Sequence, residues 1–166
     1  LLPTKHGHPG MTRSTIFSPH CDDELIGCSE ILDSVFSIYY FDYNEDRFKE
    51  SFKLCSDLDI RFQFATIKEL INCKDLFNNQ VIYAPDPFTE VHPLHKAVGA
   101  YAYLLHHTRQ CAKVIFYSTN MCQSWIHEVQ DPENKKNLLN RYYNSQKSLW
   151  EQDYKYFLFE GRMEPL

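Results

Sequence analysis

Ser18-Pro19-His20-Cys21-Asp22-Asp23-Glu24-Leu25-Ile26-Gly27-Cys28, SPHCDDELIGC, places a histidine, a thiol and three carboxylates in five consecutive positions. The apolar run STIFS (14–18) leads into it and the amphipathic run DELIGCSEILDS (23–34) leads out. Leu25, Cys28, Ile31 and Leu32 recur at helical spacing, so the stretch reads as the junction between a buried strand and a helix. A solvated turn can carry acids, but it has no need of a histidine beside two aspartates. A metal site has.

The same alternation continues outward. VFSIYYFD (35–42), IRFQFA (60–65), QVIYAP (80–85) and AKVIFYST (112–119) read as further strands. NEDRFKESFKLCSDLD (44–59), the short IKELINC (67–73), HPLHKAVGAYAYLLHHTRQ (92–110) and DPENKKNLLNRYYNSQKSLWEQD (131–153) read as helices, and YKYFLFEG (154–161) as a returning edge strand. Strands alternating with helices build right-handed βαβ units. The expected fold is therefore α/β: a Rossmann-like three-layer fold with a mainly parallel sheet of about five or six strands and helices on both faces. Ligands in such folds bind beyond the carboxyl ends of the strands, where strand order switches.

The 166 residues suit a single domain with its own core. Residues 1–10, LLPTKHGHPG, differ in character from the rest of the chain and read as a remnant of cloning, leaving 11–166 as one α/β domain. Without them the charge is 16 − 22 = −6. An acidic chain with no long basic run disfavours a strong electrostatic grip on nucleic acid, and its apolar runs are too short for a membrane span. Six cysteines without a CxxC pair point to a reducing, cytoplasmic setting rather than a disulfide framework.

A second histidine pair, His92-Pro93-Leu94-His95, stands where the fourth strand gives way to the long helix, with Pro93 suited to the first turn. If the strands ending near Phe17 and Ala84 are neighbours, both histidine motifs open onto one edge of the sheet. Ligands from the two loops then make a three-ligand site with a position left for water or substrate, the arrangement of catalytic zinc.

This pair of motifs resembles the PIG-L/LmbE-like family of zinc-dependent N-deacetylases. PHCDDELIGC (19–28) is similar to the family's PHPDDE…GC motif and HPLHKAVGAY (92–101) to its HPDHRAVG motif. EDRFKESFKLCSDLDI (45–60) resembles its R-x-x-E segment, and KKNLLNRYYNSQKSLW (135–150) its K…Y-x-SQ segment. The resemblance implies that 11–166 is a single deacetylase-like domain, with one zinc, or another divalent metal, held by His20, Asp23 and His95. It implies Asp22 as general base, and His92 as the group that stabilises the oxyanion or protonates the leaving amine. Zinc lowers the pKa of water from about 15.7 toward about 7, which suits hydrolysis of an acetamide at neutral pH. The implied reaction is removal of an N-acetyl group from an amino sugar conjugate, such as an N-acetylglucosamine derivative, or a similar N-acetylated molecule.

Departures from the family pattern matter. Leu94 replaces the aspartate that pairs with the first histidine, so the partner of His92 must be sought among Glu90, Asp86 and Glu128. Cys21 replaces a proline, and Ser29-Glu30 replaces two glycines. Glu24 is expected to support the metal loop or the helix start. His127 and Trp125 come after the fifth strand on the active edge, and with Glu90 they are the candidate substrate contacts. Tyr142, Tyr143 and Ser145 read as helix packing. Leu94 also motivates an alternative, a catalytically degenerate, metal-dependent ligand-binding module. A two-metal phosphoesterase would want more convergent carboxylates than these loops offer. The short chain suggests an open site, with its rim completed by a large substrate or by a second copy in a homo-oligomer.

Overall fold

The computed structural model describes residues 11–165; residues 1–10, the stretch that reads as a cloning remnant, lie outside them. The chain forms one mixed sheet in the order β3-β2-β1-β4-β5-β7-β6. Its parallel part comprises β1 (Arg13–Ser18), β2 (Ser37–Tyr40), β3 (Arg61–Phe64), β4 (Gln80–Pro85) and β5 (Lys113–Tyr117). β6 (Ile126–Glu128) and β7 (Phe159–Met163) add an antiparallel end, β7 pairing with both β5 and β6. The sheet thus has seven strands where five or six were expected. The extra strand, β6, has three residues and no alternation to reveal it. Residues 155–158, expected as edge strand, form a helical turn, and the strand after it lies inside the sheet.

The helices are α1 (Asp23–Cys28), α2 (Glu45–Asp57), α3 (Ile67–Leu70), α4 (Pro93–His107), α5 (Pro132–Tyr142), α6 (Lys147–Gln152) and α7 (Lys155–Leu158). Capping explains several of these starts. Asn44 accepts the Asp46 and Arg47 amides, Asp131 accepts the Asn134 amide before Pro132, and Thr66 and Glu69 form a reciprocal capping box. The expected helices over 23–34 and 131–153 each break. The first passes into a 3₁₀ segment at Ser29–Ser34, and the second is interrupted after Tyr142 by a 3₁₀ turn at Asn144–Gln146.

Alternate residues of the strands enter separate apolar clusters, as the two-residue period requires. Ile16, Ile38 and Tyr40 pack with Leu25, Leu54, Tyr143 and Trp150. Phe17, Tyr39, Ile82 and Phe116 pack with Val98, Tyr101 and Leu105. β1 and β4 are direct neighbours, with Ile16 opposite Tyr83. From β1 the chain steps outward to β2, and it later returns to the other flank of β1 as β4, so the switch in strand order lies between them. The two histidine motifs therefore emerge side by side. At Gly99 an added Cβ would run into the Pro85 carbonyl and Pro87, so glycine lets α4 lie against the end of β4 and seats His95 one turn earlier.

A candidate metal centre at the strand switch

His20 leaves β1 in a turn, Asp23 opens α1, and His95 lies in the first turn of α4. His20 Nδ1 is 3.0 Å from His95 Nε2, and Asp23 Oδ2 is 3.2 Å from each of those nitrogens. An ion held at about 2.0–2.2 Å by tetrahedral nitrogen and oxygen ligands sets its donors about 3.3 Å apart. The three donors are close to that spacing. His92 joins the group: His20, His92 and His95 each offer a ring nitrogen within 4.8 Å of the others, so the histidines could hold a metal ion.

The charge balance favours a cation. Burial alone would raise Asp23, but hydrogen bonds from His20 and then His95 outweigh it and hold the carboxyl below the usual carboxylate range. Burial would lower His95, yet its bonds to Asp23 and Glu90 push it up to about 10. A proton on His95 thus meets part of a demand for positive charge that a divalent ion meets more fully. Neutral imidazole, carboxylate and an open cleft suit zinc as a donor set.

Around these groups the orienting contacts are specific. His95 Nδ1 lies 3.0 Å from Thr119 Oγ1 and 3.4 Å from Glu90 Oε2. Glu90 is itself fixed by the Thr119 amide at 2.8 Å and hydroxyl at 2.9 Å. With its proton on Nδ1, His95 turns the Nε2 lone pair toward His20 and Asp23. Glu24 is fully buried and accepts from Ser18 Oγ, the Asp22 amide, Tyr40 and Tyr143. It anchors the loop that carries the candidate ligands.

Asp22 lines the cleft beside Asp23. Its backbone has φ 128°, a conformation that non-glycine residues rarely adopt, at the turn into α1. Burial, then the neighbouring Asp23 and Glu24 charges, raises its pKa well above that of an ordinary aspartate. His92 is exposed and caps α4, accepting the Leu94 amide on Nδ1 at 3.1 Å. A neutral ring that accepts at Nδ1 carries its proton on Nε2. Burial, then His20 and His95, lowers its pKa, which favours that neutral form.

None of the acids considered as a partner for His92 fills that role. Asp86 accepts from Phe88 N and Thr89 Oγ1, and Glu90 serves Thr119 and His95. Glu128 is exposed in β6. The partner is instead the main chain at Leu94.

The cleft has a volume of about 370 Å³, and Arg47, Ile26, Thr119, Leu149 and Tyr156 complete its lining. His127 lies elsewhere, exposed and paired with Glu30 at 2.8 Å. Trp125 packs over Gly161. Glu90 sits behind His95. Tyr143, read from sequence as packing, donates to Glu24. Thr119 ends a strand-like run on the active edge, a position from which its role could have been inferred. Leu149 and Tyr156 gave no such signal.

Compared with protein-family models, with curated proteins and with solved structures, the chain shows no match.

Proposed function

We propose that the protein is a metal-dependent hydrolase of the PIG-L/LmbE-like kind, built on a Rossmann-like three-layer α/β fold, that removes an N-acetyl group from an amino sugar conjugate or similar acetamide. The observation that carries this reading is the convergence of His20 Nδ1, Asp23 Oδ2 and His95 Nε2, at 3.0–3.2 Å, from loops at the ends of two neighbouring strands. Those three groups would hold the metal, preferably zinc. His92 fits less well as a ligand because its Nδ1 is engaged by Leu94 and its Nε2 carries the proton. The bound metal would supply a Lewis acid that polarises the amide carbonyl and acidifies water near neutral pH.

The chain's own groups account for the rest. Asp22, buried and more basic than an ordinary aspartate, takes a proton from the attacking water at the mouth of α1. His92 lines the cleft with Nδ1 engaged by the Leu94 amide, and a neutral Nε2–H there can donate to the oxygen that gains charge as the carbonyl is attacked. Glu90 and Thr119 hold the tautomer of His95. Asp22, once protonated, can return that proton to the departing amine.

A second reading has one specific observation in its favour. The Leu94 amide on His92 replaces a carboxylate that would help an imidazolium form, so a metal-dependent ligand-binding module without turnover remains the alternative. Elemental analysis of the purified protein, with acetate release measured over a panel of N-acetylated sugars and their conjugates, separates the two. One zinc per chain with acetate released only when Asp22 is intact supports the hydrolase; one zinc with no release supports the binding module. A cytoplasmic setting belongs to the same reading, supported by six free thiols among the described residues.

A further inference from the structure

The cleft has two unlike sides. His20, Asp22, Asp23, His92, His95, Thr119 and Arg47 give the cleft its polar lining and the first five carry the candidate chemistry, whereas Ile26 and, from the C-terminal helices, Leu149 and Tyr156 present apolar surface. Leu149 is 42% exposed although it is a leucine within a cleft, and Tyr156 is half-buried. Tyr156 also packs against the core, and neither residue contacts the candidate metal ligands in any hydrogen bond or ion pair of the described residues.

The segment bearing them is held in place by α2. Arg47 and Glu50 lie one turn apart on that helix. Arg47 Nη2 donates to Gln146 Oε1 at 2.6 Å, and Glu50 accepts the Ser145 amide at 2.9 Å and the Ser145 hydroxyl at 2.7 Å. Ser145 and Gln146 immediately precede α6. This clamp, with Trp150 buried and donating to Asn140, fixes where Leu149 faces the cleft. Lys155, itself paired with Asp153, lies 5.2 Å from the Tyr156 ring and steadies it. Two short motifs far apart in sequence, R-x-x-E and Y-x-SQ, thereby meet to position a wall.

We propose that Leu149 and Tyr156 are the specificity surface of the site, and that they recognise a ring with an apolar face carried next to the reacting acetamide. Arg47, Glu50, Ser145 and Gln146 are positioning residues for that surface. A cleft of about 370 Å³ has room for such a ring beside an acetyl group. A ring laid on tyrosine and leucine removes apolar area from water on both partners, which a linear, flexible amine does less well. The inference rests on the deacetylase reading for the orientation of the acetamide, but it can be tested by binding alone.

The test compares two probes: phenyl N-acetyl-β-glucosaminide, which has ring faces, and N-acetylputrescine, which has none. Dissociation constants are measured by calorimetry on the full chain in an Asp22→Asn background, with acetate release followed separately in the parent protein. The expected result is tighter binding of the ring probe. Tyr156→Ala should then weaken that probe about fivefold while the acyclic probe stays within about twofold, and Tyr156→Phe should bind both like the parent. Leu149→Ala should act in the same direction as Tyr156→Ala. Glu50→Gln should reduce discrimination between the probes without altering circular dichroism, a readout that a purely structural role would not move.

Equal weakening of both probes by Tyr156→Ala, unchanged affinity in both alanine variants, or no binding of the ring probe by the parent overturns the proposal. Discriminating binding without acetate release overturns the hydrolase reading and leaves the wall assignment standing.

Discussion

Two buried charge clusters sit at opposite ends of α1, and they are built on different principles. At its C-terminal end, Glu160 accepts from the Ser29 amide and hydroxyl, from the Glu30 amide, and from Lys135 and Arg162. Lys135 is 1% exposed, and its ammonium also donates to the Ile26 and Phe159 carbonyls. That cluster contains its own cations. At the N-terminal end, the ion-pair partners of Asp23 and Glu90 are imidazoles. Imidazole supplies charge only when protonated, and it supplies a lone pair otherwise. The first cluster is closed in charge, its acids paired with cations of its own, although it too borders a cavity of about 410 Å³; the second is left short of positive charge beside the histidine cleft. The difference separates a carboxylate that holds the fold from one that, under the proposed reading, would hold an ion.

The comparison breaks most visibly at Asp22. Under the proposed reading Asp22→Asn should retain the metal and lose about 10²–10⁴-fold in turnover, the range for removing a positioned general base. Steady-state acetate release together with metal content checks this. Loss of metal along with activity would instead make Asp22 a ligand.

Lys135→Met probes the closed cluster. It strands Glu160 in the interior with Arg162 as its remaining cation. Breaking a buried pair in this way costs about 3–5 kcal/mol, and denaturant unfolding should show it whether or not metal is added. Burial depresses the Lys135 pKa, with Glu160 pulling it back, so the ammonium depends on the pair. A variant within 1 kcal/mol of the parent (roughly the surface-substitution range) would show that this cluster is not what holds α5 to α1.

Much of this arrangement was legible in the sequence, and the limits have physical causes. The strand-to-helix junction at His20–Glu24 could be read because charge ended an apolar run. The adjacency of β1 and β4 was only a condition of the sequence reading, and the strand order of the sheet meets it. What escaped depended on long-range pairing. β6 is three residues long and exists because β7 folds back beside it. The Tyr143 hydroxyl reaches Glu24 across 119 positions of sequence, so although Tyr143 lies in the Y-x-SQ segment, no local pattern names its partner. His127 was placed on the active edge from its nearness to β5, but the antiparallel β6–β7 ribbon carries it to Glu30. Leu94 is the subtlest case: the sequence directs attention to its side chain, whereas its contact with His92 is made by the backbone amide.

Glu90→Gln tests whether the open cluster depends on a charge behind its ligand. The amide keeps the shape that bonds Thr119 but no longer attracts the Nδ1 proton of His95. Removing such a partner typically lowers metal affinity about 10–100-fold, so competition with a chelator should release zinc from this variant first. Without metal the variant should also lose stability near neutral pH, because the proton on His95 loses one of its two carboxylate partners. If zinc affinity is unchanged, Thr119 alone orients His95.

The smallest effect is expected at His92, and it is the most informative about tautomer. Glutamine reaches about as far as histidine and ends in an N–H donor with no basic nitrogen. If His92 acts as a neutral donor, fixed by the Leu94 amide, His92→Gln should retain metal and lose no more than about tenfold in turnover, less than the full loss of an oxyanion donor. His92→Ala, which removes the donor altogether, should fall well below it. If glutamine is as damaging as alanine with the metal still bound, the ring must carry charge or move a proton during the reaction. The cleft would then have to supply a cation on His92, against the pull of His20 and His95 beside it.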